Sequence, residues 1–173
     1  MKKLALVTLA GLVSTTAFAA PVGETFTGIG VGVDVTTVKY KSGSLNGKQA
    51  TGVNLIVDYG MDYGNNFVGI VEGKAKIGSS KIFNDVRQKT LFSVGYEQGY
   101  RVLPDLLPYV KVNYAVSKVG DIGSFKGFGY GLGAKYAVSN DIEIGAEYLR
   151  SNLKHNGTKL KGNAFGLSAA YRF

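Results

Sequence analysis

The side chains able to do chemistry in this sequence are charged rather than nucleophilic, and they sit as the polar members of segments whose alternate residues are apolar. Asp34, Asp58, Glu72, Glu97, Glu143 and Glu147 form one set, and Lys74, Lys76, Arg87, Lys89, Lys111, Lys135 and Arg172 the other. The signs nearly balance. An isolated buried ion is costly, so such groups confined inside a low-dielectric wall must pair or stay hydrated. The chemistry they predict is a paired polar filling, a structural plug, rather than a reactive centre. With no cysteine there is no thiol nucleophile, thiolate ligand or disulfide. The single histidine, His155, stands beside Lys154, Asn156 and Gly157 and reads as a solvated loop residue. Metal binding would fall to carboxylates alone, and no Asp/Glu-rich loop offers them, so no metal and no cofactor is expected.

Elements with a two-residue period must position these charges. From Thr27 to Thr37 one face is Thr27, Ile29, Val31, Val33, Val35 and Thr37, and the other is Gly28, Gly30, Gly32, Asp34 and Thr36. Such alternation is the mark of a strand with different surroundings on its two faces. It recurs in Thr51 to Met61, in Phe67 to Gly78, and in Arg87 to Glu97. Three further stretches carry it: Val110 to Ser117, Gly127 to Tyr136, and Ile142 to Tyr148. It returns in Asn163 to Phe173, where Phe165, Leu167, Ala169, Tyr171 and Phe173 oppose Ala164, Gly166, Ser168, Ala170 and Arg172. These are eight strands, each offering nearly the 9–11 residues a membrane-crossing strand needs.

The connections alternate too. Asp62 to Asn66, the proline-bearing Arg101 to Pro108, and Ser139 to Asp141 are short or pinned. Lys41 to Lys48, Ser79 to Asp85, Val119 to Lys126 and Arg150 to Lys161 read as longer polar loops. Short turns on one side, longer loops on the other and an even strand number are the plan of an outer-membrane barrel.

The chain begins with Met1-Lys2-Lys3, an apolar run from Leu4 to Val13, and Ala17-Phe18-Ala19. Charged start, short apolar run and small-residue site make a secretory signal peptide over residues 1–19, leaving 20–173 as one barrel domain. The net charge of +8 loses Lys2 and Lys3 with that peptide, leaving +6.

Periodicity alone does not say which face is inside, and an exported lipocalin-type barrel is the competing reading. Lipocalins need an apolar interior for their ligand. Here one face is large and aromatic, while the other is Gly, Ala, Ser and paired charge, which suits a narrow lumen. The expected fold is therefore all-β: an eight-stranded antiparallel up-and-down transmembrane β-barrel. Tyr59, Tyr96, Tyr109, Tyr136, Tyr171 and Phe173 near the short turns, with Tyr40, Tyr114, Phe128 and Phe165 toward the longer loops, are expected as two aromatic belts.

With its signal peptide, eight alternating strands and terminal Tyr171-Arg172-Phe173, the chain resembles the small outer-membrane barrels of Gram-negative bacteria: the OmpX, NspA and opacity-like group and the barrel domain of OmpA. The resemblance implies outer-membrane localisation, and it makes Tyr171 and Phe173 an assembly signal read by the barrel-assembly machinery. Enzymatic barrels of this size, the lipid A deacylases and acyltransferases, use a histidine with a serine or carboxylate. His155 has no such partner in the pattern, so no enzyme is expected.

The remaining candidate site is the outside of the loops. Arg150, Lys154, Lys159 and Lys161 make the last outer loop basic, and Lys41, Lys48 and Lys126 add to that side. The expected partners are outer-membrane lipid, lipopolysaccharide phosphates and host surface polyanions. Nucleic acid is not expected in this compartment, and the barrel is read as a monomer. Function then divides between a structural, adhesin-like surface protein and a narrow pore for ions or small solutes.

Overall fold

A computed structural model describes residues 25–42, 45–77, 80–81, 87–119, 123–155 and 158–173. The side chains of residues 42, 45–48, 80–81, 87–89, 119 and 158–159 lie outside that description, as do residues 1–24, which include the expected signal peptide. The barrel strands are β1 (Gly28–Ser42), β2 (Leu45–Gly64), β3 (Phe67–Ile77), β4 (Arg87–Tyr100), β5 (Leu106–Val119), β6 (Gly123–Ala137), β7 (Ile142–His155) and β8 (Thr158–Arg172). A two-residue strand, Ser80–Lys81, pairs with the start of β4.

Each strand pairs antiparallel with its sequence neighbour, and β1 also pairs with β8, Val31 opposite Tyr171 and Val35 opposite Leu167. This closes the sheet as expected from the terminal strand, and a closed sheet leaves no unpaired edge. The short-turn rim is stitched between turns as well as along strands. Arg101 N donates to Asn66 O, Ala137 N to Asp105 O, Arg172 N to Asp141 O, and Phe173 N to Ile29 O, at 2.7–2.9 Å. The tightest turn, at Asn65 and Asn66, uses φ of 52° and 68°, which asparagine tolerates and strand twist favours.

The alternation sorts the faces as predicted. Val33, Val57, Val94, Val112, Leu132, Ile144 and Leu167 are exposed on the outer wall, a surface that requires lipid. Inward positions are small where the wall is tightest: a Cβ on Gly131 of β6 would fall 2.2 Å from Tyr148 O in the neighbouring strand.

Three expectations need correction. Tyr40 and Tyr109 are not in the aromatic belts; they are buried in the lumen, on the same strand faces as Asp34 and Lys111. The expected outer loops are largely strand. In particular Arg150 to Lys161 continues β7 and β8, with Arg150 opposite Asn163 and Lys154 opposite Lys159. Beyond the apolar band the outward face meets water, so a hairpin can continue in residues whose composition reads as loop, with only scattered inward residues such as Leu153 and Leu160 still apolar. The proline-bearing turn is likewise shorter than Arg101 to Pro108, because β5 begins at Leu106 and Pro108 pairs opposite Ala134.

Candidate functional site

The lumen is layered along the barrel axis. At the short-turn end, Phe26, Val68, Ile70 and Leu107 form an apolar cluster with Ala137 against it. At the far end, Tyr40, Ala50, Ala115, Phe125, Leu153 and Leu160 form another, with Val38 and Leu91 packed on it. The charges lie between the two. Sequence reasoning missed both clusters, although strand parity alone assigns Tyr40, Phe125, Leu153 and Leu160 inward.

Among the residues expected in the lumen, the structure brings ten together into one alternating chain. Arg172 bridges Asp58 and Glu143, with Nη2 2.9 Å from an oxygen of each, and its Nε donates to Glu143 at 3.0 Å. Lys135 Nζ lies 2.9 Å from Glu97, 3.6 Å from Asp58 and 3.8 Å from Glu143. Lys111 Nζ lies 2.6 Å from Glu147, 2.7 Å from Glu72 and 3.0 Å from Glu97. Lys74 Nζ reaches Asp34 at 3.1 Å, Glu147 at 3.6 Å and Glu72 at 3.8 Å. Every cation thus stands between carboxylates, and the chain runs from Arg172 near the short-turn rim to Asp34 at mid-height. Asn54 and Thr36 donate to Asp34, and Tyr109 donates to Glu147 at 3.2 Å. Arg87 and Lys89, also expected here, have side chains outside the described residues; Lys76 lines the lumen beyond Lys74.

Glu97 is fully buried and both its oxygens touch ammonium groups, so the desolvation of this carboxylate is offset by two cations. Such packing leaves little free volume. A cavity of about 70 Å³ lies beyond the ion layer, lined by Asn54, Lys74, Ser93, Asn113 and Leu149 among others. Within the layer only about 10 Å³ remains between Asp58, Lys135 and Glu143. These spaces have room for a few waters and no more.

His155 is not a solvated loop residue. It is half-buried at the top of the lumen, its Nδ1 3.0 Å from Ser124 O and its ring 5.3 Å from that of Phe125. No serine–carboxylate arrangement accompanies it among the described contacts, and no cluster of metal-ligating side chains occurs among the described residues.

The outer rim carries the second group of candidates. Lys39, Lys41, Lys118, Lys126, Arg150, Lys154 and Lys161 are exposed on the outward face, just beyond Tyr114, Phe128, Tyr148 and Phe165. Lys126 stands opposite Lys154 on the β6–β7 ladder, and Lys41 opposite Lys161 on the β1–β8 ladder. The Lys48 and Lys159 side chains lie outside the described residues. The described carboxylates are all in the lumen or, as Asp62, Asp105 and Asp141, at the short turns. Among the described residues, cations therefore have the outer rim to themselves.

The pattern of the outer membrane is matched by sequence as well. The family model of the outer membrane protein beta-barrel domain matches residues 5–173. The chain belongs to this family. Among solved structures, Ail, the attachment invasion locus protein of Yersinia pestis, is similar with TM-score 0.57 at 20% identity, covering 85% of this chain and 99% of Ail. Ail in complex with the heparin analogue sucrose octasulfate superposes with TM-score 0.60. Neisserial surface protein A is similar with TM-score 0.58 at 19% identity, over 85% of this chain and 98% of that one. OprG of Pseudomonas aeruginosa gives 0.52 at 8% identity, over 88% and 99%. At these identities the likeness is one of fold. No curated protein matches the chain by sequence. As a member of this family the chain is an outer-membrane β-barrel protein.

Proposed function

We propose that this barrel is a structural and surface-interaction protein of the outer membrane, closed internally by its ion-paired lumen and binding anionic groups through its outer rim. The observation that carries the reading is the set of seven exposed cations on one rim, with like charges directly opposite at Lys126–Lys154 and Lys41–Lys161. Like charges opposite one another on a ladder are unfavourable. An anion bridging them turns that cost into affinity, and charge-assisted bonds to phosphate or sulfate are the strong ones. The ligands this rim suits are lipopolysaccharide phosphates at membrane level and host polyanions above them. That Ail has been crystallised with a heparin analogue supports the second.

The same reading treats residues 1–19 as a signal peptide cleaved after Ala19, takes Tyr171 and Phe173 as the mark recognised by the barrel-assembly machinery, and assigns the barrel no enzymatic reaction. The protein acts as a monomer. Retention of the refolded barrel on a heparin column tests the rim. The parent is expected to elute well above physiological salt, and Lys126→Glu/Lys154→Glu/Lys161→Glu to elute at least twofold lower in salt with its fold intact. Equal elution of the two proteins would remove the rim from the proposal.

A further inference from the structure

Of the three residues before β1, Thr27, expected at the start of the first strand's outer face, is instead buried ahead of the strand, and Thr25 and Phe26 occupy a place that no alternation announces. They leave the start of β1 and reach the turn between β4 and β5, which lies across the barrel mouth, β5 being four strands away in either direction around the sheet. There the Arg101 guanidinium donates to Thr25 O, from Nη2 at 2.8 Å and Nε at 3.2 Å. The Thr25 hydroxyl donates to Pro104 O at 2.5 Å. On the other side Arg172 Nη1 donates to Gly28 O at 3.0 Å, so an arginine braces each end of the crossing. Arg101 is itself held by Asp62, whose carboxyl pKa is drawn below its ordinary value first by that hydrogen bond and then by the Gly64 N–H.

Between the braces Phe26 turns its ring into the barrel. It is 1% exposed and packs among Val68 and Ile70 of β3 and Leu107 of β5. Its φ of 69° is uncommon for a residue with a side chain and persists only where the surroundings fix it. Strand β2 yields space for the crossing: a Cβ on Gly60 would lie 1.9 Å from Phe26 O. Seen along the axis, the Phe26 ring and its three aliphatic neighbours stand between the short-turn mouth and the first ion pairs of the lumen.

The geometry points to a stopper: residues 25–27 seal the short-turn mouth and shut the lumenal ion network off from the solvent on that side. The seal is made by a segment outside the strands, and the wall is complete without it. Removing the ring therefore opens the mouth and leaves the barrel standing.

The cysteine-free chain allows a direct test. Val68, 0% exposed behind the Phe26 ring, is replaced by Val68→Cys, and the refolded protein is treated with a small charged thiosulfonate reagent. Slow labelling is expected, rising at least tenfold when Phe26→Gly is added, since glycine keeps the positive φ while removing the ring. Heat-modifiable gel mobility shows that each barrel is folded. Fast labelling of the parent, or a rise below tenfold in the Phe26→Gly barrel, would overturn the stopper. Where the double variant does not fold, the unaltered protein decides: contacts between Phe26 ring protons and the methyls of Val68, Ile70 and Leu107 in nuclear Overhauser spectra are expected, and their absence refutes the proposal.

Discussion

Lys111 is the residue on which most of the lumen depends, since three carboxylates lie within 3.0 Å of its ammonium. Removing one member of a buried charge network leaves its partners uncompensated, at a cost of about 3–5 kcal/mol. Lys111→Met is therefore expected to lower the unfolding free energy of the refolded barrel by that order, read from urea denaturation followed by circular dichroism and gel mobility. An unfolding free energy within about 0.5 kcal/mol of the parent's, the scatter of neutral surface changes, would mean that the carboxylates are neutralised by other means. The residues of this chain were legible in the sequence because strand parity is strict: ten inward charges follow from alternation alone. Tyr40 and Tyr109 were misread against their own parity, because an aromatic type near a strand end suggested the membrane interface. His155 was misread for its neighbours; Asn156 and Gly157 suggest a loop, while its position two after Leu153 puts it on the inward face.

At the scale of the element, strands inside the apolar band declared themselves and strands beyond it did not. The β7–β8 hairpin keeps its ladder from Ile142–Tyr171 to His155–Thr158, yet its outer half is mostly Arg, Ser, Asn, Lys and Gly, and the inward Leu153 and Leu160 are too few to mark an apolar face. The crossing at Phe26 was invisible for a different reason: three residues have no period, and their partners Arg101 and Gly60 are distant in sequence. The terminal strand combines both lessons. Its Phe173 N–H closes the rim onto Ile29 O at 2.8 Å, and its ring meets Tyr171 edge-on at 4.9 Å between centroids. Deleting Phe173 removes one ladder bond and half of that aromatic pair, together with the proposed assembly mark. The amount of heat-modifiable protein in outer-membrane fractions is expected to fall severalfold, while barrel refolded in detergent keeps the parent's mobility shift. Normal membrane levels of the deletion would mean that Phe173 is no assembly mark.

At the scale of the whole molecule the charges of the described residues are sorted by height: carboxylates in the lumen and at the short turns, cations on the outer rim. A barrel inserted from the short-turn side of the membrane must send that rim through the hydrocarbon first. Each lysine or arginine at the bilayer centre costs about 2.5–3.5 kcal/mol, so seven of them oppose translocation by roughly 20 kcal/mol in all. The rim that would hold anions at the surface is thus a kinetic barrier on the way there. A helper that thins or opens the bilayer shortens the crossing, and removing the charges themselves lowers the barrier. Refolding into preformed neutral liposomes is accordingly expected to accelerate at least tenfold when Lys126→Gln, Lys154→Gln and Lys161→Gln are combined, and severalfold when the bilayer is thinned by shorter acyl chains. Time-resolved gel mobility measures both. A rate indifferent to both changes would place the barrier elsewhere, in barrel closure rather than in the passage of charge.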